Sequence, residues 1–140
     1  GLSNALIAQA NGFTTFDQPV EGSMVNYENL DNHQTGIHDY FKFLKFGFSR
    51  ATDIACLHVR RGRITRQDAV EIVKARDGKF PWTYLGKPLR DILEPLDMTP
   101  EEFIKICDRF TNKKIFKRDA SGALAKDKYG NLEKLNYDNP

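Results

Sequence analysis

Lys45, Arg50, Arg60, Arg61 and Arg63 stand within the nineteen-residue run KFGFSRATDIACLHVRRGR, with Arg66 just beyond it and Asp53 the lone carboxylate inside it. Guanidinium groups suit planar, bidentate recognition of phosphate or carboxylate. The cations are threaded through apolar residues at helical spacing, so the segment cannot be all surface or all core. Asp53 follows Arg50 by three residues, a spacing that places both on one helical face and lets the carboxylate orient the guanidinium. Two readings stay open on pattern alone. One is a solvated helix face with favourable charges near a helix C-terminus. The other is a phosphate or pyrophosphate grip, in which these side chains converge across the turn at Gly62.

Other constellations also have two readings each. His38-Asp39 is either a general base with its orienting carboxylate or a packed, capping pair. His33 and His58 have no partner in the sequence and read as structural. Tyr27, Glu28 and Asp31 place a phenol and two carboxylates in a loop, which suits Mg²⁺ or a sugar hydroxyl, or simple solvation. Phe41, Phe43, Phe46 and Phe48 invite comparison with a base-stacking platform. They cannot all share one face of a helix, so most are expected in the core.

The elements that must position these residues follow from periodicity. Ala5–Ala10 reads as the end of a helix closed by Asn11-Gly12, and a long irregular segment with Pro19 and Gly22 follows it. Thr35-Gly36 opens the longest amphipathic pattern, in which Ile37, Phe41, Leu44, Phe48, Ala51 and Ala55 recur at helical steps. Gly47 is placed to bend or split it. Thr65 caps a next helix with Asp68 at N3, and Val70, Ile72 and Val73 are expected to form its buried face. A short helix over Leu89–Leu96 begins near Pro88. Thr99-Pro100-Glu101-Glu102 is a complete start signal for another helix. Beyond Asn112, Ile115–Lys117, Leu124–Lys126 and Leu132–Leu135 alternate with turn formers and predict a small β-hairpin or meander. No internal repeat is evident. The expected division is residues 1–36 as a helix end plus linker loop, 37–111 as a helical domain, and 112–140 as a β-hairpin or extended tail.

Composition narrows the class. The chain has 140 residues and a net charge of only +2, with acids dispersed among bases, which disfavours a dedicated nucleic-acid binder. A helix–turn–helix reading of Val59–Gly78 fails on the same ground, because Asp68, Glu71 and Asp77 would face phosphates. There is no apolar run of membrane-spanning length. Cys56 and Cys107 lie far apart in predicted helices and are expected to be reduced, buried thiols of a cytoplasmic protein, without a metal site.

The blocks PVEGSMVNYENLDN, TGIHDYFKFLKFGFSRATDIACLHVRRGRITRQDAVEIV and EPLDMTPEEFIKICDRFTNKKIFK closely resemble the C-terminal third of the N-acetyl sugar amidotransferases of lipopolysaccharide and surface-glycan biosynthesis. That resemblance covers nearly the whole chain. It implies a mainly α fold, the helical C-terminal region of an α/β PP-loop ATP pyrophosphatase, with a small C-terminal β-hairpin. It implies an ATP- and Mg²⁺-dependent parent enzyme that activates the acetamido oxygen of a sugar nucleotide and admits ammonia to form an acetamidino group. The ammonia would come from glutaminase and cyclase-like partner subunits. The SGGxDS phosphate loop of that superfamily is absent from this sequence, so the chain is expected to supply one side of a shared site and not to bind ATP and Mg²⁺ by itself. KFGFSRATD followed by VRRGR is also similar in layout to the C-terminal helices of asparagine synthetases. By that likeness Lys45 and Arg50 are expected to contact phosphate or pyrophosphate, with Arg60 or Arg63 on the sugar nucleotide's anionic groups. Asp53 would orient Arg50, and His38 would lie near the acetamido group. The alternative is a non-catalytic helical module that docks the glutaminase and cyclase-like subunits.

Overall fold

The structure is a computed structural model and describes residues 1–135. It is mainly helical. Helix α1 spans Leu2–Ala10, α2 Thr35–Phe46, α3 Arg50–Arg60, α4 Arg66–Arg76, α5 Leu89–Leu93 and α6 Pro100–Phe110. A two-stranded antiparallel hairpin, β1 (Thr83–Tyr84) and β2 (Lys87–Pro88), precedes α5. A single 3₁₀ turn over Glu94–Leu96 prolongs α5.

The long amphipathic pattern is split in two. Gly47 adopts the left-handed region (φ 77°) and ends α2, a conformation open to glycine without a Cβ penalty. Ser49 is extended (φ −145°) before α3 begins at Arg50. Periodicity runs straight through this break because the buried residues Tyr40, Leu44, Ala51 and Ala55 keep helical spacing across it.

The core is built around α2. Tyr40, Phe43 and Leu44 pack with Phe80, Leu89, Leu93, Phe103 and Cys107, and with Phe116 and Leu132 from the C-terminal segment. Tyr40 meets Phe80 edge-on at 5.3 Å between ring centroids, and Phe43 meets Phe116 at the same 5.3 Å. Such pairs add about 0.5–1.5 kcal/mol beyond area burial. Thr99 closes the expected capping box: its hydroxyl accepts from Glu102 N while Glu102 accepts from Thr99 N. That start signal sets α6 against α2.

The irregular segment after α1 is held in place. Val20 is buried with Tyr84 and Ile92, and the Glu21 carboxylate accepts from Leu85 N at 3.0 Å and Thr83 Oγ1 at 3.2 Å. Gly36 lets α2 approach the hairpin, since a Cβ there would lie 2.5 Å from Tyr84 Cδ2.

Two expectations about burial are corrected. Helix α4 buries Ala69, whereas Val70 remains 41% exposed, because α4 packs substantially against α3 alone. Cys107 is buried as expected but Cys56 is exposed, and both are free thiols.

The C-terminal segment holds a repeat that composition does not reveal. Phe116, Leu124 and Leu132 are spaced by eight, as are Asp119 and Asp127, and Gly122 and Gly130. Antiparallel bridges join Arg118 to Leu124, Lys126 to Leu132, and Phe116 to Lys134. The backbone bonds run head to tail: Ala125 N donates to Lys117 O, Glu133 N to Ala125 O, and Lys117 N to Glu133 O. Three eight-residue units thus close into a ring. Asp119 and Asp127 turn the corners by accepting backbone N–H groups two and four residues on. The repeat is hidden in the sequence because its third unit has Leu135 where the others have Asp, and Asp138 where they have Gly.

Candidate functional site

The junction between α2 and α3 concentrates the polar groups. Asp39, on α2, is buried to 5% exposure. A buried carboxylate needs a partner, because leaving one uncompensated costs several kcal/mol. Arg50 supplies it, with Nε 2.5 Å from Oδ2 and Nη2 3.0 Å from Oδ1. His38 Nδ1 lies 3.1 Å from the same Oδ1, while the imidazole itself is largely exposed. The hydrogen bond to Asp39 is the main reason the Arg50 guanidinium is held charged even more firmly than usual.

Asp77 completes the junction from the far end of α4. It accepts from Ser49 N at 2.8 Å, from Ala51 N at 3.1 Å and from the Thr52 hydroxyl. A carboxylate at a helix C-terminus opposes the dipole, but at an N-terminus it is favourable. Asp77 sits at both ends, and its oxygens serve α3. It therefore caps α3 from another helix, replacing the side-chain cap that Ser49 does not make. The Ser49 hydroxyl instead donates to Asp39 O at 2.7 Å. Next to it, Gly78 (φ 72°) passes over Phe43, where a Cβ would lie 2.1 Å from the ring's Cζ.

A cleft of about 200 Å³ opens beside this network, lined by Asp39, Ser49, Arg76, Lys79, Trp82 and Tyr84 among others. Burial pushes the Tyr84 phenol up to about 12, with Asp39 adding to the shift and Arg50 opposing it. Glu28 lies near enough to reinforce the charge on Arg50, and Arg63 near enough to lower Tyr27 against the raising effects of burial and Glu28. Of the loop groups singled out from the sequence, Glu28 and Tyr27 thus approach the cationic segment.

The six candidate residues do not share one wall. Arg50 turns inward to Asp39, and the carboxylate that orients it is Asp39, not Asp53. Asp53 pairs with Lys42 instead, because its place one turn into α3 points it back to α2. Lys45 and His38 flank a shallow concavity with Phe41, Lys42, Phe46 and Phe110. Lys45 rests 5.4 Å from the Phe46 ring. Arg60 lines a separate groove between α3 and α4. Arg63 is exposed in the turn that joins them.

Asp77, Tyr84 and Trp82 were missed in the sequence. For Asp77 a signal existed: an acid at the end of a helix is misplaced for its own dipole, so it must serve something else. The arrangement leaves one edge of Arg50 available. Asp39 takes Nε and Nη2, and among the described residues Nη1 has no hydrogen-bond partner. A guanidinium so fixed, with its side chain 25% exposed, can offer that edge to an anion without paying again for its own ordering.

Comparison with known proteins gives a family. No curated protein matches the chain at a significant level. Residues 11–133 match the family described as LPS biosynthesis protein WbpG-like, C-terminal domain. The match begins at the first turn after α1 and runs through the Asp39–Arg50–Asp77 junction and most of the C-terminal ring. This chain belongs to the WbpG-like lipopolysaccharide biosynthesis family, as its C-terminal domain.

Proposed function

We propose that this chain is the C-terminal part of an ATP- and glutamine-dependent amidotransferase that converts the N-acetyl group of a sugar nucleotide to an acetamidino group. The family match carries this reading, together with the guanidinium of Arg50 held by Asp39, a residue that lines the neighbouring cleft. In the parent enzyme an adenylylated amide oxygen leaves readily, and fixed cations stabilise the charge that develops. This chain's residues do not fit the ATP and Mg²⁺ themselves. The SGGxDS loop is not in the sequence, and among the described residues no three His, Cys, Asp or Glu side chains converge to hold a metal. Its contribution is binding and orientation: Arg50 and Arg63 face the sugar nucleotide's anionic groups, with Lys45 and Arg60 as outlying cations. His38 and Asp53 take supporting roles, His38 through Asp39 and Asp53 through Lys42. Glutaminase and cyclase-like subunits are the proposed ammonia source, in the cytoplasm. Among the described residues no helix is long and apolar enough to cross a membrane.

The test uses the full-length parent enzyme. Arg50→Ala removes the partner of a buried carboxylate and should cost about 3 kcal/mol of stability, the low end for breaking a buried pair, since Arg50 is partly exposed. Arg63→Ala touches no packed group and separates function from folding. It should raise KM for the sugar nucleotide about tenfold, as expected for one lost charge-assisted contact, with an unchanged melting temperature. A normal KM in Arg63→Ala, with normal ATP–pyrophosphate exchange in Arg50→Lys, would remove this region from the active site.

A further inference from the structure

Helices α3 and α4 form a hairpin that neither closes on itself nor lies flat on the core. Neither packs substantially against any other helix. Between them runs an open groove of about 820 Å³ whose floor is Phe48, Cys56, Val59, Val70 and Val73. Phe48 and Val70 remain 40% and 41% exposed. An apolar surface of this kind, rimmed by polar groups, marks a contact site.

The rim states the chemistry of the occupant. Arg60, Arg66 and Lys74 surround the floor, and the one acid among the lining residues, Asp53, is already engaged by Lys42. Lys74 is partnered by Glu71 at 3.1 Å. Arg60 and Arg66 form no ion pair among the described residues, so their charge is uncompensated. A second copy docking groove to groove would bring these like charges together, which disfavours a symmetric dimer. At 1.5 Å per residue, the eleven-residue α4 offers about 16 Å, the length of three helical turns. We infer that this groove receives an acidic amphipathic helix from a partner polypeptide, its apolar stripe on the valines and its Asp or Glu flanks on Arg60 and Arg66. This is the helix-in-groove mode of recognition.

Cys56 provides the readout, because it is an exposed thiol on the floor of the groove, whereas burial pushes the Cys107 thiol up to about 12. The probe is a helix-stabilised synthetic peptide of three turns with a leucine stripe flanked by Glu. At about ten times its dissociation constant it should slow alkylation of Cys56 in the 140-residue chain about tenfold. The same peptide with Lys in place of Glu should protect far less. The Arg60→Glu, Arg66→Glu double variant should invert that preference, and if it does not fold, the peptide charge swap on the unaltered chain still decides. Equal protection by both peptides would overturn the inference, as would protection by a fatty acid and not by the acidic peptide. So would concentration-dependent dimerisation that shields Cys56 with no peptide present. No nucleotide or sugar enters the assay, so its outcome is independent of the proposed amidotransferase role.

Discussion

The two halves of this molecule use the same kinds of residue to opposite ends. Around α2 and α6 most of the aromatic side chains interlock in the core, with Phe46 and Phe110 left exposed at one edge. In the α3–α4 hairpin, valines and a phenylalanine line an open groove; two ion pairs tie the hairpin to α2, Arg50 to Asp39 and Asp53 to Lys42, while Asp77 ties the end of α4 to the start of α3. The first half carries the stability. The second is fixed in orientation by a few polar contacts while its apolar surface stays available.

This contrast can be broken by substitution. Phe43→Ala in the core should cost about 3–5 kcal/mol in urea unfolding, whereas Val70→Ser on the groove should stay within about 0.5 kcal/mol. Comparable losses at the two positions would mean that the hairpin is packed after all. A smaller effect sharpens the hinge between the halves. Asp77→Ala should cost about 1–2 kcal/mol, as for loss of an N-cap, and native-state hydrogen exchange should speed up at Ser49 and Ala51 while the α6 amides keep their protection. Uniform acceleration across the chain would deny that Asp77 acts locally. The smallest effect tests the core half's own end. Glu102 is held below its ordinary value of 4.5 mainly by its hydrogen bonds with Thr99. A carboxylate with a depressed folded value stabilises above its unfolded value and loses that contribution as pH falls through the folded one. The protection factor of the Thr99 amide should therefore fall below pH 4.5 while those of the groove amides hold, and unchanged Thr99 protection would count against the capping box.

Local signals were legible in the sequence because they are local in the structure. The Thr99–Glu102 box, the Thr65 cap and the turns at Asp119–Gly122 and Tyr129–Asn131 each act within four residues. The six cations could also be named, but not their destinations. Whether Arg50 pairs with Asp53 or Asp39 depends on the left-handed turn at Gly47, which rotates α3 relative to α2, and helical periodicity is blind to that rotation. Asp77 reaches α3 across twenty-six residues, a distance at which spacing says nothing. Val70 and Val73 look like core residues to any pattern of hydrophobicity, because a groove waiting for a partner and a face already buried share one sequence signature.

The closed ring of eight-residue units has a consequence for how this chain can be cut. Leu135 N donates to Ile115 O at 2.8 Å, so the segment enters and leaves the ring at hydrogen-bonded neighbours. In such a closed motif no unit is intrinsically first. Opening the chain at Ser121-Gly122 or Tyr129-Gly130 and joining the old ends would reorder the units while preserving each bridge. Phe116 on Phe43, Leu132 in the same core, and Asn131 and Tyr129 bonded to Phe80 N and Trp82 Nε1 mark which unit belongs where against the core. The ring is in this sense permutable in its backbone order, while its seat on the core is set by side chains from more than one unit.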